Sequence, residues 1–475
     1  MNGPAKEEES QMLVEELGQS QQQYVGWRPG PNFRTFAWTA ILIPPICFYI
    51  LLWKSLCGIP YLDDYGGSLS FLLKWKRERG LQHLLQIITW QHNEYRLMLL
   101  NLIVGLQYWA LGHVDLKTLA MLGNVFILLM LGVLYLIWQK DNSPSKFTLL
   151  VFVSISWMLF QLQYASAMNT SNMSLQHLPA IVFAMLACYL ASQPNAAAFI
   201  GSLCCMVLAI ASSGNGLFLI PIGCILFLQQ KKYRRLALWL ATSAVMCFLY
   251  FHGYNFHASQ THADHDLLSS SKHLSPTYAA AFLGSIATVT NPVPAVLLGI
   301  LLLTTFFIAT KDRVFESNPA LYYSALFFFV TAVAVSGLRS DGGLTTALGS
   351  RYRINSTIIV ILMYMFVIEK YQEFLLRLRR PMAMAIICFV GLVLVGFNLT
   401  SNRAGYRFLL TRRQKLDTAM LRWGRHEPRQ EVGAATDDDY TMTSEKKGYY
   451  EPREQILKDS IAAGIYHLPT LPEEH

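Results

Sequence analysis

Long apolar runs alternate with short polar breaks along most of this chain. The runs are 15–22 residues long and recur from Phe36 to Leu399. A helix needs roughly 20 apolar residues to cross a hydrocarbon layer about 30 Å thick. The pattern therefore predicts an all-α, polytopic helical membrane protein. Eleven transmembrane helices are expected, at 36–57, 117–138, 147–164, 178–193, 196–212, 216–230, 236–253, 293–310, 319–338, 354–369 and 382–399. They make one transmembrane domain over 36–399, with a flexible polar tail at 1–35 and a polar, charged C-terminal tail at 400–475.

The run at 97–111 stands apart. It has only about fifteen residues, short of the span length, and it carries Asn101 and Gln107. A re-entrant or surface-lying helix inside one long loop, 58–116, is expected there. Elsewhere in that loop Leu81, Leu84, Leu85 and Ile88 recur at helical spacing against Gln82, Gln86, Thr89 and Asn93. Leu69, Leu72 and Leu73 likewise oppose Lys74, Arg77 and Glu78. Helices of this kind lie in the interface plane, and the segment 277–290 is read the same way.

Composition agrees with a membrane protein. Hydrophobic residues make up 53% of the chain and charged residues 14%, where a soluble protein carries about a quarter. Nearly all eight cysteines fall inside apolar runs, which suits small buried side chains and neither a disulfide framework nor a zinc site. The net charge of +8 does not point to nucleic acid, because the basic residues gather in short runs between apolar segments. The strongest are Lys231-Lys232-Tyr233-Arg234-Arg235 and Lys370 through Arg380. Both belong in the cytoplasm by the positive-inside rule. Counting spans from them puts 1–35 in the cytoplasm and places 58–116, 165–177, 212–215 and 339–353 on the non-cytoplasmic face. The C-terminal tail falls on that face too, although Arg403, Arg407, Arg412 and Arg413 run against the rule there.

Most of the polar residues with chemical potential share that face. Tyr61-Leu62-Asp63-Asp64-Tyr65 sets two carboxylates side by side just after the first span. Adjacent carboxylates repel, which raises the proton affinity of one of them, so either could serve as a general base on a hydroxyl. The same letters also suit a solvated turn. His92-Asn93-Glu94-Tyr95-Arg96 follows where two predicted helices meet. There Glu94 could hold a metal or orient a base, His92 and Asn93 could bind substrate, and Arg96 could hold a phosphate. Arg339, Arg351, Tyr352 and Arg353 suit a phosphate anchor or interfacial anchoring. Asn172, Gln176 and Asn215 offer amides to a hydroxyl-rich ligand such as a sugar. His257, His262, Asp264, His265 and Asp266 fit no zinc spacing and read as a polar loop. No metal site is expected; a divalent ion is possible in this chemistry but not indicated, and no organic cofactor is required.

An uncleaved first span followed by an outer loop with an acidic pair and surface-lying helices resembles the GT-C superfamily of membrane glycosyltransferases. The resemblance is to bacterial members with an Asp-Asp after the first span and a His-Asn-Glu-His-Arg-like element further on. Here those are Asp63-Asp64 and His92-Asn93-Glu94-Tyr95-Arg96, with Tyr95 in place of the second histidine. Ser212-Ser213-Gly214-Asn215-Gly216 and Ser350-Arg351-Tyr352 are similar to recurring elements there. The resemblance covers about 36–399 and implies transfer of a sugar from a polyprenyl-phosphate donor to a glycan, lipid or protein hydroxyl. It implies an acid of the first loop, Asp63 or Asp64, as the base, and an active site facing the periplasm from a bacterial inner membrane. A transporter of lipid-linked saccharide would use the same cavity and arginines without a base. The chain shows no internal repeat of the kind transporters often carry.

Overall fold

The computed structural model describes residues 31–77, 86, 88–92, 95–139, 146–255, 274–377, 380–424 and 447–469. The first span is α1 (Pro31–Ser55), which ends at the loop that carries Asp63 and Asp64. After a π-helical turn at Asp64–Leu69 come α2 (Ser70–Arg77), the two-residue strands β1 (Gln91–His92) and β2 (Tyr95–Arg96), and α3 (Met98–Leu111). The strands pair antiparallel, Gln91 opposite Arg96. The bundle continues with α4 (Leu116–Trp138), α5 (Lys146–Leu159), α6 (Ser171–Ser192), α7 (Ala196–Ser212), α8 (Leu219–Gln229) and α9 (Tyr233–Phe251). Then follow α10 (Pro276–Leu283), α11 (Pro292–Lys311), α12 (Pro319–Arg339), α13 (Ser350–Arg377), α14 (Arg380–Gly424) and α15 (Lys447–Ala462).

Side-chain caps start many of these helices where polar breaks interrupt the apolar runs. Asp115 accepts from the Lys117 and Thr118 amides, Thr170 from Met173, Asn195 from Ala198 and Asn318 from Leu321. Each such cap satisfies amides that the first turn leaves without intrahelical partners.

Among the described residues eight helices are long and apolar enough to cross a bilayer, and the chain is a polytopic helical membrane protein. The expected spans at 196–212 and 216–230 form the shorter helices α7 and α8. These two still run the depth of the bundle, as contacts at their ends show. At one end Arg235 donates to the carbonyls of Gln193, Pro194 and Asn195, and the Tyr323 hydroxyl donates to Gln229. Lys370 pairs with Asp312 at 2.5 Å among the loops predicted to be cytoplasmic. At the other end the turn between α7 and α8 meets Tyr95 and Tyr250 beside Gly214. The span expected at 382–399 lies within α14.

The end of α3 and the start of α4 belong to the same face as Ser55. Arg96, just before α3, donates to carbonyls at the end of α9. Just after α3, Lys117 lies 4.0 Å over the Trp53 ring near the end of α1. The 14-residue α3 would rise only about 21 Å if straight. It enters and leaves on one face, with Trp109 82% exposed beside exposed Leu102 and Leu106. The amphipathic stretch predicted from Leu81 lies largely outside the described residues, as do the histidines and aspartates of 257–266.

The C-terminal region is more than a tail. Leu416, Ala419 and Met420 of α14, with Leu457, Ile465 and Tyr466, enter one apolar cluster with Ile59, Tyr61, Tyr65, Leu69, Leu97 and Leu119. This second core covers the loop after α1 and is separate from the large core of the bundle.

Candidate functional site

The acidic pair sits on a sharp bend. Leu62 has φ +46°, a left-handed conformation that costs a side-chain-bearing residue roughly 1 kcal/mol or more. The Asp64 and Tyr65 amides then donate back to the carbonyls of Tyr61 and Leu62. A π-helical turn begins at once. Gly67 within it lies so close to the Asn172 side chain of α6 that an added Cβ would meet its Nδ2 at 2.1 Å. Glycine lets the turn seat against that helix.

The bend separates the two carboxylates. Asp64 is 2% exposed. Its Oδ1 accepts from the Ser171 hydroxyl at 2.6 Å and the Asn172 amide at 3.1 Å, and its Oδ2 accepts from the Tyr61 amide at 3.2 Å. It thereby satisfies an amide in the first turn of α6, where the helix dipole favours an anion. Burial pushes the carboxyl up to about 6, against the three hydrogen bonds, which pull it down; the Asp63 charge adds to the rise. Ser171 also meets the Ser68 hydroxyl at 3.2 Å, so this pair can reorient when Asp64 takes a proton.

Asp63 is half-buried, and its carbonyl accepts from the Asn172 side chain at 3.3 Å. Its carboxylate lies within electrostatic reach of His177 on α6, as do Arg339 at the end of α12 and Arg351 at the start of α13. Asp63, Arg339 and Arg351, from three segments far apart in sequence, thus all lie within electrostatic reach of one imidazole. Arg339 donates to the Tyr95 hydroxyl at 3.3 Å, which fixes part of its fork. Arg351 lies 4.9 Å from the centre of the Tyr352 ring. Asn172 and Gln176 are buried one turn apart on α6, next to His177.

The remaining arginines do something else. Arg96 is buried and donates to the carbonyls of Leu249 at 3.3 Å and His252 at 2.5 Å. It closes the C-terminal end of α9, where carbonyls lack helical partners. Arg353 is buried and donates to the Leu348 carbonyl at 3.0 Å. Tyr352 packs on Phe282 at 5.2 Å. Asn215 follows Gly214 in the turn between α7 and α8, and Gly214 lies beside Tyr95. Asn93 and Glu94 lie outside the described residues, as does the side chain of His92. Among the described residues no three His, Cys, Asp or Glu side chains cluster to hold a metal ion.

Sequence reasoning left two residues out of the site. His177 was visible only as one member of a polar stretch beside an apolar run. Tyr278 of α10 is buried, meets the Thr346 hydroxyl at 3.1 Å and lies within electrostatic reach of Arg339 and Arg351. Nothing around it in the sequence marks it.

No family model matches the sequence, and no curated protein matches it. Among solved structures it is similar to ArnT from Cupriavidus metallidurans bound to undecaprenyl phosphate, with 14% identity and a TM-score of 0.45 over 89% of this chain and 77% of that one. The same protein in its apo state gives 14% identity and a TM-score of 0.43, over 91% of this chain and 78% of that one.

Proposed function

We propose that this chain is an integral-membrane glycosyltransferase that moves a sugar from a polyprenyl-phosphate donor to an acceptor hydroxyl at the face where Asp63 lies. The observation that supports the reading is that Asp63, Arg339 and Arg351 all lie within electrostatic reach of His177, with Arg339 bound to the Tyr95 hydroxyl at 3.3 Å. An acid beside two cations suits a reaction in which a proton leaves one side as negative charge gathers on the other.

In this reading the Asp63 carboxylate takes the proton of the acceptor hydroxyl. The acceptor oxygen bonds to the anomeric carbon as the bond from that carbon to the phosphate oxygen breaks. The phosphate leaves with the electron pair, and Arg339 and Arg351 meet its growing charge. Asp64 does not act as the base, because the Ser171 hydroxyl and the Asn172 and Tyr61 amides already occupy its oxygens. It anchors the loop to α6. Asn172, Gln176 and His177 line the side where a sugar would lie. Arg96 serves α9 instead of the phosphate.

The test is turnover of labelled polyprenyl-phosphate hexoses and pentoses by the purified protein in vesicles, with membrane extracts as acceptor. Transfer releases free polyprenyl phosphate and labels the acceptor. Movement of intact lipid-linked sugar across the bilayer without release would show a transporter instead.

A further inference from the structure

The loop that carries the acidic pair is held from two sides, and only one of them is the bundle. On the bundle side Asp64 reaches α6. On the other side the C-terminal segment lies across the loop. Tyr466 is 2% exposed and donates from its hydroxyl to the Gly58 carbonyl at 2.9 Å. Its backbone bridges in parallel to Val114, whose amide donates to the Ile465 carbonyl at 2.8 Å. Gly464 makes this approach possible: at φ +65° it ends α15 and turns the chain inward. The Ile465 and Tyr466 amides both donate to the Ser460 carbonyl, which fixes the turn.

Other contacts run along the same segment. Lys76 donates to the Ala463 carbonyl at 2.5 Å, and Arg77 lies 3.9 Å from Asp459. The Arg453 guanidinium lies 5.9 Å from the centre of the Tyr65 ring. Leu457 and Ile465 are buried against Ile59, Tyr61 and Tyr65. Between Ser55 and the π-helical turn the loop has little regular structure of its own, and it passes through a left-handed leucine. Such a segment keeps one conformation only while its surroundings determine it.

We propose that Tyr466 is a positioning residue: it clamps the Gly58 end of the loop and so fixes where Asp63 points. Residues 453–469 would then complete the site by supporting the loop that carries Asp63. The inference rests on the glycosyltransferase reading for its effect on turnover, but the clamp itself is measured without any substrate.

The experiment compares hydrogen exchange across 58–66 in the full-length protein, Tyr466→Phe and Tyr466→Ala. Tyr466→Phe keeps the ring in the core and removes only the bond to Gly58, so it serves where Tyr466→Ala fails to fold. Exchange in 58–66 should rise about tenfold in Tyr466→Phe and further in Tyr466→Ala, with amides in the middle of α6 unchanged. Transfer assays on the same samples should show kcat lower and KM for the donor unchanged. Unchanged exchange in 58–66 for Tyr466→Phe would overturn the clamp. Faster exchange with unchanged kcat per folded molecule would overturn its role in positioning. If the protein proves not to transfer sugar at all, the exchange result still stands or falls alone.

Discussion

The Ser171 hydroxyl donates to the Asp64 carboxylate at 2.6 Å, joining the first loop to a helix more than a hundred residues later. The contact makes one of two adjacent acids a structural anchor, while its neighbour lies within electrostatic reach of His177. Replacing Asp64 with alanine should therefore remove the acceptor from three buried donors, the Ser171 hydroxyl and the Asn172 and Tyr61 amides. Each unsatisfied group costs about 1–3 kcal/mol. Scanning fluorimetry in detergent should show a clearly lower unfolding midpoint for Asp64→Ala than for Asp63→Ala, and equal midpoints would remove the anchor role.

Asp64 also sets a pH dependence of known sign. Its carboxyl is raised to about 6 in the folded protein from an ordinary value of 3.8. Between those values the folded state binds the proton that the unfolded state has released, so this group's contribution to stability declines as pH rises from about 4 to about 6. The whole effect is bounded at about 3 kcal/mol. Unfolding midpoints measured across that range should fall with pH by this contribution, and Asp64→Asn should flatten the slope. An unaltered slope in the variant would mean that the carboxyl is not held in its protonated form by burial.

Arg96→Gln should destabilise the protein by about 1–3 kcal/mol, because the Leu249 and His252 carbonyls lose a charged donor. Per folded molecule, KM for the polyprenyl-phosphate donor should stay within about twofold. A large rise in KM with normal stability would make Arg96 a phosphate ligand after all.

Arg351→Gln and Arg339→Gln should both slow transfer, by roughly tenfold to a thousandfold, through weaker stabilisation of the departing phosphate. Tyr95→Phe removes the hydroxyl that accepts from Arg339 and should have a smaller effect of the same kind. Steady-state kinetics on the three variants would check the order.

Much of the fold was legible because span length and apolar content are properties of single segments. The 97–111 run was marked out by its short length together with Asn101 and Gln107, although α8 is shorter still and runs with the bundle. The Lys231–Arg235 and Lys370 loops share one end, while Arg412 and Arg413 lie at the other, beside Tyr61 and Lys54. The division of labour within the site was not legible. Asp63 and Asp64 are the same residue type, and only the left-handed backbone at Leu62 and the distant Ser171 tell them apart. Arg96 and Arg353 read like Arg339 and Arg351 until their carbonyl partners are seen, and the partners of Arg96 lie some 150 residues away. The packing of the C-terminal helix left a faint signal: Leu457 and Ile461 stand four apart within a charged stretch, the spacing of a narrow apolar stripe on a helix.

The most direct measurement is transfer from a labelled polyprenyl-phosphate sugar by Asp63→Asn, with folding checked by the unfolding midpoint. Loss of a positioned general base should lower kcat about a hundredfold or more, with the midpoint and donor KM near those of the unaltered protein. Transfer near the unaltered rate in Asp63→Asn would contradict base catalysis at this residue and, with it, the central assignment of the site.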